Sequence, residues 1–380
     1  MIIDLRSVIG AAAIPADETA AAGGALRRTL DLIGLAVSDL VQPGARVFLK
    51  PDLGDPSPTT ERAWSDPQLV AAVARVFTET GASVLVGDSP FVDGTPVRRR
   101  WAEAGLLAPA GAEGFTLVDL EAATTRVAAV QDTVYFVPEV LVEADLVVNL
   151  ARLRPHPWFG AAGALTNLLG VLPGFQKIRH LVRSGADGGY GRVLADLCAV
   201  LQPGLTILQF DLEPKDAPVW GILVSTDGVA VDAAVAQRTG AEEEAWPHIG
   251  PAADSGLGVG WREGIEIVGT ASVPPAVPET GNPRLVRQRV MRWFGGFTEP
   301  LLWTRPELDG ALCDGCGECV KSCPTKALRQ CTGESLPAVE ARLCVGCWHC
   351  RAVCAQGAVV AGQSSLARFL TASRRRNCAF

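Results

Sequence analysis

CDGCGECVKSCP, residues 313–324, and CVGCWHCRAVCA, residues 344–355, carry one cysteine spacing twice. Cys313, Cys316, Cys319 and Cys323 stand as C-x-x-C-x-x-C-x-x-x-C with Pro324 behind them. Cys344, Cys347, Cys350 and Cys354 repeat the run, with Ala355 where a second proline would stand. This is the ligand spacing of paired 4Fe–4S clusters. A cubane cluster needs one thiolate per iron. A tight loop can aim three closely spaced sulfurs at one cube but does not reach its fourth corner, so the fourth cysteine of each run crosses to the other cluster. Cys313, Cys316, Cys319 and Cys354 are therefore expected to hold one cluster, and Cys344, Cys347, Cys350 and Cys323 the other.

Zinc modules pair two C-x-x-C units across a long gap and have no use for a third cysteine in each run. A disulfide framework fits less well still, because Met1 leads into Ile-Ile-Asp with no basic segment and cleavable apolar stretch. The expected compartment is the cytoplasm, where thiolates stay reduced. Of the 11 cysteines, Cys198, Cys331 and Cys378 lie outside the runs and read as idle or buried thiols.

Working outward, the repeat has a period of 31 residues, from Cys313 to Cys344. The small module, of bacterial ferredoxin type, is expected over 305–362, followed by a basic tail over 363–380. Residues 271–283 hold Pro274, Pro275, Pro278 and Pro283, a linker composition, and Leu285–Phe294 reads as a basic helix, so 271–304 forms a connector. Residues 1–270 alternate strand-like and helix-like segments. Strands are expected at Ala45–Lys50, Ser83–Gly87, Leu146–Leu150, Leu205–Phe210, Val219–Val224 and Ile265–Val268. Asp66 caps a helix opened by Pro67 and stopped at Gly81. Alternation of this kind predicts an α/β domain, a mainly parallel sheet with helices on both faces, joined to a small α+β module.

The chain is long enough, at 380 residues, for more than one domain, and its formal net charge of −7 argues against a nucleic-acid partner. Its apolar runs are too short to span a membrane. Open α/β sheets bind ligands at the carboxyl ends of their strands. Those ends are polar here: Lys50-Pro51-Asp52, Gly87-Asp88-Ser89-Pro90, and Asn149 through Arg152, Arg154 and His156. A crevice lined by Lys50, Asp88, Arg154 and His156 would suit an anionic or carbonyl-bearing small molecule, with His180 as a further candidate. Lysine and arginine stabilise developing negative charge and histidine delivers a proton. Truncating Lys50 or His156 is expected to abolish turnover at little cost in stability. His248 reads as a loop residue. No G-x-G-x-x-G or P-loop stands in the right context, and a flavin site is unreadable.

These same stretches resemble the family called domain of unknown function 362: Leu49-Lys50-Pro51, Gly87-Asp88-Ser89-Pro90, the block from Ala144 through His156 to Asn167 and Gly170, His180, and Ala230-Val-Asp232-Ala. The family pattern usually has asparagine at Asp52 and lysine at Arg154 and Thr166. The resemblance implies an iron–sulfur protein with an α/β domain and supplies no reaction. The leading expectation is an oxidoreductase relaying electrons from a ferredoxin- or flavodoxin-type donor protein, through two 4Fe–4S clusters, to a small-molecule substrate. An electron-transfer subunit docking a partner enzyme, and a binding module with structural clusters, are the other readings.

Overall fold

The computed structural model describes residues 7–15, 19–54, 64–89, 97–156, 160–185, 189–212, 219–240, 246–260, 264–271, 304–330 and 336–364. The connector expected over 271–304, its basic helix and the basic tail lie outside the described residues except at their edges, as do Pro90, Cys331 and Cys378.

Sixteen strands are described: β1 Ser7–Pro15, β2 Arg46–Pro51, β3 Ser83–Val86, β4 Thr116–Leu117, β5 Thr125–Val130, β6 Thr133–Pro138, β7 Leu146–Arg152, β8 Arg154–His156, β9 Gly160–Ala162, β10 Leu205–Leu212, β11 Val219–Ser225, β12 Ile265–Gly269, β13 Thr304–Leu308, β14 Leu328–Arg329, β15 Ala338–Val339 and β16 Val359–Gln363. Eight build one sheet in the order β12-β1-β11-β10-β7-β2-β3-β4. From β10 to β4 every pair is parallel. β11 runs antiparallel to both its neighbours, and β12 is parallel to β1. The mainly parallel α/β expectation holds. β1, a nine-residue strand that precedes the segment read as the first, inserts beside β11 and was not anticipated.

Alternation along the strands puts a core on each face. Val47, Leu49, Val148, Leu150, Ile207 and Ile222 pack with the helices Thr19–Leu32 and Pro67–Thr78. Phe48, Val147, Ala151, Leu208 and Leu223 pack on the other side with Tyr190–Leu201 and Gly228–Arg238. The helix Pro67–Thr78 starts as its sequence dictates: the Asp66 side chain accepts from Gln68 N at 2.9 Å, and Pro67 needs no partner at the first turn.

β2 is followed by β3 on one side of the sheet and β7 by β10 on the other, so the chain diverges between the neighbouring strands β2 and β7. This is the switch point at which such sheets leave room for polar chemistry. Lys50 and Asn149 are register partners there. The cysteine module is separate in secondary structure: β13 pairs β16, β14 pairs β15, and the short helices Glu318–Lys321 and His349–Ala352 follow the two cysteine loops.

Candidate functional site

The eight cysteines of the repeat surround two hollows. One, of about 340 Å³ and partly open to solvent, is lined by Cys313, Cys316, Cys319 and Cys354. The second, of similar size, is lined by Cys323, Cys344, Cys347 and Cys350. The fourth cysteine of each run thus stands with the other run's first three, the partition that a crossed ligand set requires. Amides already aim at the crossing sulfurs: Ala327 N donates to Cys323 Sγ at 3.2 Å and Ala358 N to Cys354 Sγ at 3.3 Å. Among the described residues no three His, Cys, Asp or Glu side chains converge on a single-ion position. Thiolates spread around a hollow, with N–H donors to sulfur, fit a multi-iron cluster.

The two hollows are not equivalent. Cys316 is exposed, whereas its repeat counterpart Cys347 is buried. The second hollow faces the α/β domain, where Arg179 Nη1 donates to Cys344 O at 2.9 Å. Gly346 and Trp348 lie against Gly174 and Phe175 so closely that a Cβ at Gly174 would collide with the Trp348 indole. His349 also crosses over, its Nδ1 accepting from Thr125 N at 3.3 Å. The set with Cys347 is called inner and the set with Cys316 outer.

Beneath this contact lies a chain of buried polar groups. Glu121 Oε2 accepts from Gly174 N at 2.8 Å, and Glu121 Oε1 meets the Ser89 hydroxyl. Lys177 Nζ donates to Ser89 O at 2.5 Å and Ser89 Oγ at 2.7 Å. The neighbouring Asp88 pairs through Oδ1 with Lys50 Nζ at 2.6 Å and accepts from Leu53 N through Oδ2 at 2.9 Å. Lys50 donates further to Asn167 Oδ1 at 2.9 Å, and Asn167 Nδ2 to Asn149 Oδ1 at 2.8 Å. Gly170 closes over the pair; a side chain there would strike Asp88 and Lys50. Asp52 accepts from Arg154 Nε at 3.1 Å and Nη2 at 3.2 Å. The two departures from the family pattern at these positions therefore pair with each other.

Burial governs the protonation of this chain. It pushes the Asp88 carboxyl up against the opposing pull of Lys50, and the Glu121 carboxyl up against Lys177 and Ser89. It pushes the Lys177 ammonium down, with Glu121 and Asp88 opposing. Burial would also raise Asp52, but Arg154 and then Lys50 hold it below the usual carboxylate range. Burial, reinforced by Arg154, lowers His156 to about 3, so its imidazole is neutral.

The open-crevice expectation needs correction. Lys50 and Asp88 do not line an open crevice: they are 0 % and 2 % exposed, each satisfied by the other and by neighbouring amides. His180 packs its ring on Tyr135, with centroids 4.6 Å apart. His248 stands in the turn before the short helix Ile249–Asp254, a loop position as expected, but a buried one. It is fully buried, with Nε2 2.8 Å from Asp232 Oδ2, and the same carboxylate accepts from Ala164 N and Leu165 N at 2.6 and 2.9 Å. Arg154 and His156, read as the end of the third strand, lie on a separate two-stranded ladder after it.

Glu121, Lys177, Arg179 and Trp348 were missed. The strand-end rule applied to β4 would have found Glu121. Lys177 and Arg179 sit on the helix Gln176–Gly185, with no motif to mark them.

An α/β domain with a buried polar chain at its switch point, fronted by a cysteine module shaped for iron–sulfur clusters, defines the class. The chain belongs to the family described as Domain of unknown function (DUF362), which matches residues 47–237. A 4Fe-4S binding domain matches residues 306–329. The thylakoid-associated protein sll1697 of Synechocystis sp. is 29 % identical over 187 residues, covering 48 % of this chain and 56 % of that protein. The chain thus spans little more than half the length of that curated relative. The lactate racemase apoprotein of Thermoanaerobacterium thermosaccharolyticum is similar at a TM-score of 0.37 and 14 % identity, over 51 % of this chain and 49 % of that one. Among the described residues no helix is long and apolar enough to cross a membrane.

Proposed function

We propose that the chain is an iron–sulfur reductase in which two 4Fe–4S clusters pass single electrons toward the switch point of the α/β domain, where a small unsaturated or carbonyl-bearing molecule is reduced. Cys313, Cys316, Cys319 and Cys354 would hold one cluster, and Cys344, Cys347, Cys350 and Cys323 the other. When bound, the clusters supply one-electron transfer and no protons. The protons then fall to the protein.

The observation that carries this reading is the seat of the inner cysteine loop. It rests on Gly174, whose amide is held by Glu121, and Glu121 leads through Ser89 to Lys177. Ionisable groups with burial-shifted affinities, next to an electron entry point, suit proton delivery. A depressed Lys177 gives up its proton more readily than a surface lysine, and a raised Glu121 keeps one nearer neutrality. Lys50 and Arg154 would stabilise negative charge on a substrate oxygen. The full burial of Lys50 and Asp88 favours a second reading, an electron-transfer subunit whose substrate chemistry resides in a partner enzyme. Both readings take a ferredoxin- or flavodoxin-type protein as electron donor.

Anaerobic reconstitution should yield about eight irons and eight acid-labile sulfides per chain. The loaded protein should then oxidise a chemically reduced viologen faster when an enone, aldehyde or ketone is added. Lys177→Met should remove that acceleration and leave iron content intact. An acceleration indifferent to Lys177→Met would take the residue out of the reaction. No acceleration across these carbonyl classes would favour the subunit reading.

A further inference from the structure

Laid on one another at their 31-residue period, the two cysteine runs differ in net charge, the first being the more acidic even though its Lys321 corresponds to Ala352. Asp314 corresponds to Val345, Glu318 to His349 and Val320 to Arg351. The acidic residues that flank both runs, Asp309 and Glu340, correspond to each other and cancel in the comparison. Tertiary structure widens the contrast. Asp314 and Glu318 line the outer hollow, with Lys321 offsetting Glu318 at 2.7 Å. None of the described residues lining the inner hollow is acidic. Arg179 approaches from the α/β domain, its Nη1 2.9 Å from the backbone oxygen of Cys344, one of that hollow's lining residues.

Each added electron makes a thiolate-held cluster more negative. A positive charge beside it stabilises the reduced form and raises the potential; a negative charge lowers it. Burial alone works the other way, since a dry site resists added charge. Arg179 is half-buried, so its charge at the inner site is screened less than a fully exposed one. Asp314 and Glu318 are exposed and damped by water and salt.

We infer that the inner site has the higher potential of the two, with Arg179 as the residue that sets the order, so that electrons run from the exposed outer cysteines toward the α/β domain. The inference rests on the two-cluster reading above and adds the direction of flow. With both clusters bound, one electron would pass from the outer site, reduced by a single-electron carrier protein, to the inner site, with no bond made or broken and no proton moved. Trp348 fits the same design. It holds a left-handed backbone, φ 59°, where its counterpart Gly317 has φ 72°, and a bulky residue tolerates that conformation only when its surroundings enforce it. Its packing on Gly174 fixes the inner loop beside Arg179.

The test is a reductive titration of the full, anaerobically reconstituted chain followed by electron paramagnetic resonance, in wild type and in Arg179→Gln, Arg179→Lys and Asp314→Asn. Arg179→Gln should lower one centre's potential and leave the other in place. Arg179→Lys, which keeps the charge, should restore most of the wild-type value. Asp314→Asn should raise only the other centre. In wild type the centre sensitive to Arg179 should be reduced first. Reduction of the Asp314-sensitive centre first would overturn the inference. So would potentials indifferent to both charges, or a chain that loads a single cluster. The predicted order without substrate reduction would uphold the inference and remove the reductase reading.

Discussion

In the α/β domain, Val47, Leu49, Val148, Leu150 and Ile207 are buried by strands and helices that close on both sheet faces. In the cysteine module, three of the six residues of the buried core, Cys319, Cys323 and Cys350, belong to the cysteine repeat. The first region is held by apolar area, at about 1.5–3 kcal/mol for each fully buried aliphatic side chain. The second has too little such area for its length, and its cysteine repeat leads us to expect that metal–thiolate bonds supply the rest of its order. One chain would then combine a self-sufficient scaffold with a conditional module, joined at the contact of Gly174 and Arg179.

The sharpest way to break that comparison is to strip the metal. Chelation of the loaded chain should abolish hydrogen-exchange protection at Ala327, Leu328 and Val359 while Val148 and Ile207 stay protected. Simultaneous loss in both regions would mean that the scaffold is conditional too.

A smaller effect is expected inside the scaffold. Lys50→Ala leaves Asp88 buried without its cation and should cost about 3–5 kcal/mol in denaturant unfolding. Lys50→Met combined with Asp88→Leu should recover most of that loss, because the expense lies in the stranded charge. Equal losses in the single and double variants would locate the cost in packing.

At the junction, Gly174→Ala must place a side chain at φ 63° and against Trp348. The backbone strain alone is on the order of 1 kcal/mol. Exchange at Gly346 and Trp348 should accelerate with iron content unchanged; lost iron would show that docking and cluster binding are one event.

The mildest prediction concerns acid. The folded Asp52 carboxyl lies below its unfolded value. The unfolded chain therefore takes up that proton first as pH falls. The stabilisation is complete above the ordinary aspartate value of about 4 and is lost as pH drops through the folded one. Asp52→Asn should lower stability at neutral pH and flatten its decline toward acid. Parallel wild-type and variant profiles would show that Arg154 does not depend on the charge.

By itself the sequence determined what rests on local spacing. Three cysteines in a tight loop can serve only one cluster, so the grouping of Cys323 and Cys354 with the other run's first three cysteines was legible before any fold. The helix caps at Asp66 and Pro67 and the alternation behind the α/β sheet were legible for the same reason, since they depend on neighbours a few residues apart. Lys50 and Asp88 were legible as strand ends, but their burial was not. Whether a strand end is a crevice or a sealed ion pair depends on Gly170 and Asn167, more than a hundred residues from Lys50. Tertiary structure alone decided that His248 is buried on Asp232, that Glu121 and Lys177 join through Ser89, and which cysteine set faces the α/β domain. Each joins side chains distant along the chain, and their protonation follows from burial, which no short stretch of sequence specifies.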